Sequence, residues 1–287
     1  PSKYRNLSGI YCHMFERGGI LLDSGEGACS QLVRRYGPKF DEILSNLRVV
    51  WISHIHADHH SGLPSLLRMR SRLTREPLVI VGPRQLRRVL SMYSKIEHVP
   101  MEFIDCNQTR DIVRAGEGGL EIRGAESQLP ARLEALGIAS LQSVEVHHSC
   151  YNCYGCVLVG KQGWKLAYSG DTRPCKAFVE AAANATIFIH EATFENELRA
   201  EAEAKKHSLT AEAVASGIGA KAYRTILTHF SQRYPKIPVI DETFTPSTCI
   251  AFDLMTFNLR NLEHLPTVVP DVAVRFEGRQ DAAAAAE

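Results

Sequence analysis

Residues 49–67, "VVWISHIHADHHSGLPSLL", constrain this chain more than any other stretch. An unbroken apolar run, "LRVVWISH" (47–54), opens directly onto four histidines and an aspartate, all between His54 and His60. A short continuous apolar run reads as a strand buried on both faces. Gly62-Leu63-Pro64 then starts "SLLRMRSRL" as a helix, with Pro in the first turn. Neutral imidazole and carboxylate are ordinary ligands for zinc. His54 and His56 alternate on an extended segment and point to one side, while Asp58 and His59 come after a turn and can serve a second ion. The competing reading is a solvated polar loop. It is the weaker one, because so many metal-capable groups crowd behind a buried strand. His60 has no vacancy to fill and reads as a supporting or surface residue.

The same plan recurs along the chain. "GGILLDSGEG" (18–27) is a strand ending at Asp23, and "PLVIVGP" (77–83) is another buried strand. "SVEVHH" (143–148) alternates as a strand should, and "GWKLAYSGDT" (163–172) ends at Asp171. "ATIFIHEAT" (185–193) ends at His190 and Glu191, and "RTILTHFSQRY" (224–234) ends at His229. Helical spacing appears between them in "ACSQLVRRYG", "RQLRRVLSMY" and "LTAEAVASGIGAK". Alternating strands and helices predict α/β layers. Polar groups at C-terminal strand ends predict a site along one edge of the sheets.

The 287 residues suffice for one large domain or two small ones. An apolar content of 45% and a charged content of 23% are ordinary globular values. There is no apolar run long enough to span a membrane, and no signal peptide is visible. The chain opens on "PSKYRN" without an initiating Met and is read as a fragment of a longer protein. Residues 1–276 read as one catalytic domain, and 277–287, "EGRQDAAAAAE" at its Ala-rich end, as a frayed tail. "ENELRAEAEAKK" reads as an acidic surface helix.

A net charge of +1 hides an asymmetry: residues 1–100 carry 15 Lys/Arg against 8 Asp/Glu, and the rest 18 against 24. "RMRSRLTR" (68–75) and "RQLRR" (84–88) supply much of the basic excess. A basic face attracts polyanions, although a solvated helix face accounts for either stretch alone. Eight cysteines suit a reducing compartment, so the protein is expected to be intracellular, in the nucleus, a mitochondrion or another organelle. Cys150, Cys153 and Cys156 repeat at a spacing of three without a fourth ligand, and read as structural or solvent-facing thiols.

"SHIHADHHSGL" resembles the H-x-H-x-D-H signature of the metallo-β-lactamase fold. That resemblance implies an αββα sandwich with a dinuclear metal site at one sheet edge. Further segments are similar to the tRNase Z family: "PSKYRN" to its P-x-K-x-R-N loop, "HEAT" (190–193) to its loop of the same letters, "HSLT" (207–210) to its H-S-T loop, and "SQRYPKIP" to the segment after the last ligand in long forms. The family's third histidine precedes a glycine in H-x-x-x-(A/C)-(F/Y)-G. Counting back from Gly155 lands on Ser149, so His148 fits with one residue inserted, and His147 stands as the alternative. The Gly/Pro-rich arm of short forms has no counterpart, so the chain looks like the catalytic carboxy-terminal half of a long form.

The resemblance also implies a role for each polar residue. His54, His56 and His148 hold one ion, Asp58, His59 and His229 the other, and Asp171 bridges them. The ions are two zinc, with manganese as an alternative. Asp58 takes the proton of the attacking water, His207 protonates the leaving 3′-oxygen, and Glu191 orients His207 while His190 shapes the same loop. Lys3, Arg5 and Asn6 grip RNA, and Asp23 braces the metal loop; His13, His98 and His264 receive no role. The implied activity is an endoribonuclease that removes the 3′ trailer from precursor tRNA and leaves a 3′-hydroxyl. The implied partner is the amino-terminal half of the same chain, with a homodimer as the secondary expectation and no membrane. Two other readings remain: a hydrolase of the same fold acting on a small ester or thiolester, and a non-catalytic subunit that binds RNA or a partner.

Overall fold

A computed structural model describes residues 6–116, 120–122, 125–231 and 246–267. Lys3, Arg5, most of "SQRYPKIP" and the tail at 277–287 lie outside the described residues. Two sheets face each other. The first has the order β1 (Ile10–His13), β2 (Gly19–Leu22), β3 (Leu47–Trp51), β4 (Leu78–Gly82), β5 (Met101–Asp105). Only the β1–β2 pair in it is antiparallel. The second sheet is built from β6 (Val113–Arg114), β9 (Ile138–Glu145), β10 (Tyr154–Gly160), β11 (Lys165–Tyr168), β12 (Ile187–Glu191), β13 (Arg224–Thr228) and β14 (Thr248–Ile250), adjacent in that order. From β11 to β14 the strands run parallel; β6, β9 and β10 add antiparallel pairs. A short hairpin, β7 (Glu121–Ile122) with β8 (Ala125–Glu126), stands apart.

The apolar runs explain the layers. Side chains alternate across a strand. In β2, β3 and β4 one set, Ile20, Leu22, Val49, Trp51, Val79 and Val81, packs toward the second sheet against Tyr154, Cys156, Tyr168 and Ile189. The other set, Leu21, Val50, Leu78 and Ile80, packs outward. That outer face is covered by α1 (Ala28–Tyr36), α2 (Phe40–Ser45), α4 (Leu63–Ser71) and α5 (Arg84–Tyr93), through Leu32, Leu44, Leu66 and Leu90. On the far side of the second sheet, Phe178 of α7 (Lys176–Ala181) packs on Val157, Ala167 and Phe188, and α9 (Thr210–Gly219) lies beside it on β12 and β13. The remaining helices are α3 (Ala57–His60), α6 (Leu129–Leu136), which closes one end of the inter-sheet core, and α8 (Arg199–Lys205). The architecture is the αββα sandwich expected of the H-x-H-x-D-H signature.

Some local readings change. The strand that begins the third-histidine loop stops at Glu145, so His147 and His148 stand on a loop. Of the two readings for Cys156, the structural one applies: it is a core residue of β10, fully buried. The basic stretch on α4 is not a uniform face: Arg70 turns inward and donates from Nε to the Leu47 carbonyl at 3.1 Å and from Nη1 to that of Glu76 at 2.6 Å. A buried cation so tied to backbone contributes structure and is not displayed to a polyanion.

At one rim the loops after β2 and β3 meet backbone to backbone. A Cβ at Gly62 would stand 2.1 Å from the Gly25 carbonyl oxygen, and one at Gly25 2.2 Å from that of Asp58. Only glycine allows that approach, and it sets the histidine loop against the turn that carries Asp23.

Candidate metal centre

Four strand ends or the loops after them deliver the polar residues to this rim. His54 and His56 leave β3 in extended conformation, and Asp58 and His59 sit on the single turn of α3. His148 comes from the β9–β10 loop, Asp171 from the turn after β11, and His229 from the residue after β13. His229 adopts φ +60°, the left-handed region, where a bulky side chain is uncommon. Asp171 comes after Gly170 at φ +58°, where a Cβ would come within 2.8 Å of Ser53.

These side chains converge. His54, His56, His148 and Asp171 place one ligand atom each within 4.8 Å of one another, and so do Asp58, His59, Asp171 and His229, with Asp171 common to both groups. His56 Nδ1 lies 3.0 Å from His54 Nε2 and 3.1 Å from His148 Nε2. His59 Nε2 lies 3.1 Å from His229 Nε2 and 3.2 Å from Asp171 Oδ2. His229 Nε2 is 3.4 Å from both Asp58 Oδ2 and Asp171 Oδ1. His148, not His147, enters the group. His147 is exposed, and its backbone is held by Thr172 and Arg173.

The donor set fits a cation. Four imidazoles are anchored through Nδ1 and turn Nε2 inward: His54 on Ser53 Oγ at 3.0 Å, His59 on Asp23 at 2.7 Å, His148 on the Lys206 carbonyl at 2.9 Å and His229 on Thr193 Oγ1 at 3.0 Å. With Nδ1 engaged outward, the inward nitrogen of the neutral ring keeps its lone pair, the posture of a metal-bound histidine. Asp171 is 2% exposed, and its Oδ1 has no hydrogen-bond partner. A buried carboxylate oxygen without a donor is costly, and a cation would satisfy it. Burial, and then the neighbouring His59, hold His54 well below the ordinary imidazole range. Burial also lowers His148. Both shifts favour the neutral ring, the form that binds metal. Burial pulls on His59 and His229 too, but there the Asp171 carboxylate prevails and raises them.

A second set adjoins the first. Glu191 is buried and accepts from His207 Nδ1 at 2.8 Å, from the Thr172 amide at 2.8 Å and from the Thr193 amide and hydroxyl at 3.1 and 2.7 Å. Burial alone would raise its carboxyl, but the hydrogen bond and charge of His207 hold it below the usual range. The His207 ring stacks on His229 at 5.7 Å and meets His148 at 4.7 Å, so it borders both groups. Arg173 fixes the loop that carries it, donating to the His207 carbonyl at 2.7 Å and to both oxygens of Glu212. His190 points the other way on β12. It packs on Phe188 and Phe178, its Nδ1 bonded to the Glu191 carbonyl, so it does not shape the loop from within the site. His60 stays outside the groups, and His98 is exposed. Thr193, Arg173 and Tyr168 received no role from sequence. Thr193 and Arg173 carried a signal nonetheless, inside the "HEAT" and "GDTRP" strings.

Asn6 donates from its backbone and side chain to Asp253. The residues after it reach the site, with the Ser8 amide donating to the Asp58 carbonyl at 3.1 Å. A cavity of about 1240 Å³ opens there, lined among others by Asn6, Tyr11, Tyr36, Asp58, His229 and Phe252.

Comparison with known proteins agrees with this fold. The β-lactamase superfamily domain matches residues 19–230. Mitochondrial tRNase Z TRZ3 of Arabidopsis thaliana is 47% identical over 94% of this chain and 35% of its own length. Human zinc phosphodiesterase ELAC protein 2 is 37% identical over 97% of this chain and 34% of its own length. The chain thus spans about a third of the curated relatives it matches. A long-form RNase Z from yeast superposes with a TM-score of 0.77 at 26% identity, covering 95% of this chain and 42% of that one. Human short-form tRNase Z, at 23% identity and a TM-score of 0.67 over 90% of this chain and 95% of that one, shares the fold.

Proposed function

This chain belongs to the β-lactamase superfamily, and on that premise we propose that it is a metal-dependent phosphodiesterase that cuts the 3′ trailer from precursor tRNA. The observation that carries the reading is the pair of four-residue groups joined at Asp171. His54, His56 and His148 would hold one divalent ion, Asp58, His59 and His229 a second, and Asp171 both. Zinc suits this nitrogen and oxygen set, and manganese also accepts it. Such ions supply Lewis acidity, which makes water acidic near neutral pH and offsets charge on phosphoryl oxygens.

The chain's own residues do the rest. Asp58 is 40% exposed at its side chain and flanks the rim, so its free carboxylate oxygen can take a proton from water. His207 gives Nδ1–H to Glu191, which leaves Nε2 to carry the proton that the departing 3′-oxygen needs. Thr193 spaces Glu191, His207 and His229 in one chain of hydrogen bonds. The cavity beside Asp58 offers Tyr11, Tyr36 and Phe252, rings on which unpaired bases stack, and Arg35 at the same wall offers charge for a phosphate. Lys3 and Arg5 would extend that grip. The names of the curated relatives support tRNA as substrate and, for TRZ3, a mitochondrial compartment.

The deciding experiment incubates the full-length protein, loaded with zinc or manganese, with a precursor tRNA that carries a 3′ trailer, and maps the new ends. A single new 3′-hydroxyl at the end of the mature tRNA supports the reading. Intact RNA, or cuts scattered along the trailer, would overturn it.

A further inference from the structure

Cys150 and Cys153, in "SCYNC", form a Cys-x-x-Cys pair in the loop between β9 and β10. The proposed reaction uses neither. Both are free thiols, and their sulfurs stand 3.0 Å apart. The loop holds them on one side. The Val146 amide donates to the Cys153 carbonyl at 3.0 Å, Asn152 turns the chain at φ +59°, and Cys153 Sγ donates to the Cys150 carbonyl at 3.1 Å. Cys153 is buried, whereas Cys150 is half-buried beside Tyr151, which is 87% exposed, so a small oxidant reaches Cys150 first. Toward the site, Ser149 Oγ, next to Cys150 in the same loop, lies 3.4 Å from His148 Nε2, and His148 Nδ1 is anchored on the Lys206 carbonyl at 2.9 Å. No cysteine enters the metal-capable groups among the described residues, so the pair is not itself a ligand set.

We propose that Cys150 and Cys153 are a reversible redox pair, and that their disulfide tightens the loop that carries His148 and so weakens divalent-cation binding by His54, His56 and His148. With hydrogen peroxide as oxidant, Cys150 sulfur, its proton released, attacks one peroxide oxygen. The O–O bond breaks, and the leaving hydroxide takes a proton to become water. Cys153 sulfur then attacks the resulting sulfenic sulfur; the S–O bond breaks and a second water leaves with the Cys153 proton. Two thiols lose two electrons and two protons, and one peroxide gains them as two waters. A disulfide bond is about 2.05 Å long. Closing the gap therefore needs only a small shift within the loop, which starts two residues after His148. The disulfide stands apart from the metal reading; its effect on affinity rests on it.

The test treats the whole chain with hydrogen peroxide, alkylates remaining thiols under unfolding conditions, and maps every cysteine by mass spectrometry. Cys150 and Cys153 should lose alkylation together, with a loss of two hydrogens that dithiothreitol reverses, while Cys106, Cys156 and Cys249 stay alkylated. Zinc titration of the oxidised and reduced forms should then show affinity about tenfold or more lower when oxidised, the size of loss seen when a ligand's outer partner is removed. Cys150→Ala and Cys153→Ala, neither of which can close the bond, should each keep the zinc affinity of the reduced protein after peroxide treatment; circular dichroism checks that each variant folds. Independent alkylation of the two thiols, a sulfinic acid in place of the bond, or a disulfide that leaves zinc affinity unchanged would overturn the proposal. If the disulfide and the affinity shift appear in a protein that does not cut precursor tRNA, the nuclease reading fails and this one stands.

Discussion

Asp23 Oδ2 accepts a hydrogen bond from His59 Nδ1 at 2.7 Å, and so decides which nitrogen of His59 faces the metal-capable cluster. The same carboxylate accepts from the Ser53 amide at 2.7 Å, the Ser53 hydroxyl at 2.9 Å and the Tyr168 hydroxyl at 2.8 Å. It thereby ties β2, the histidine loop and β11 at one buried point. Asp23→Asn should lower zinc affinity about 10–100-fold, as for other partners of ligating histidines. It should also cost about 1–3 kcal/mol of stability, since the amide presents donors to donors. Competition against a chromophoric chelator and a denaturant titration measure the two. Unchanged zinc affinity would mean that Asp23 serves the fold alone.

Metal removal gives a second check. Chelator-treated protein should regain two zinc ions per chain by elemental analysis. At zinc a hundredfold above its dissociation constant, the folded state should gain about 2.7 kcal/mol. No bound metal, and no rise in Tm on adding zinc, contradicts the assignment of all seven ligands.

Asp58→Ala should separate catalysis from binding. Asp58 is asked to hold an ion and to take a proton, whereas affinity for RNA comes from basic and aromatic residues elsewhere. Cleavage should be lost while a gel-shift assay finds precursor tRNA bound with little change. A near wild-type cleavage rate would remove Asp58 from the mechanism.

His207 and Glu191 should behave as a unit. His207→Ala should leave metal content intact and slow the chemical step roughly 10²–10⁴-fold, the usual contribution of a general acid. Adding Glu191→Gln to that variant should cost little more, because the carboxylate acts through the ring. A substrate with sulfur as the leaving atom departs without a proton, so single-turnover rates on it should recover much of the deficit. An equal deficit on both substrates would show that His207 only positions RNA.

His190 offers the opposite contrast. It is the neighbour of Glu191 in sequence but lies on the outer face of the sheet, packed on Phe188 and Phe178. His190→Ala should destabilise by about 0.5–3 kcal/mol, in the ordinary range for a buried residue, with kcat per folded molecule unchanged. A selective loss of activity would place it in the site after all.

Much of this was readable along the chain. Apolar runs long enough only for buried strands predicted the layers, because burial pattern is a local property that spacing preserves; the sandwich was implied by the resemblance that the H-x-H-x-D-H string carries. Placing Asp23, Asp171, Glu191 and His229 at strand ends came from the same periodicity. Spacing could not choose between neighbours. His147 and His148 are adjacent letters. The inward turn belongs to His148 because its Nδ1 finds the Lys206 carbonyl, 58 positions away, while Thr172 and Arg173 hold the backbone of His147 at the surface. His190 and Glu191 part for a related reason: a strand alternates its side chains, and only the packed sheet says which face meets the site. Arg70 left its basic stretch for the Leu47 carbonyl. Each of these outcomes hangs on a partner brought close by folding, and a partner distant in the chain leaves no mark on local spacing.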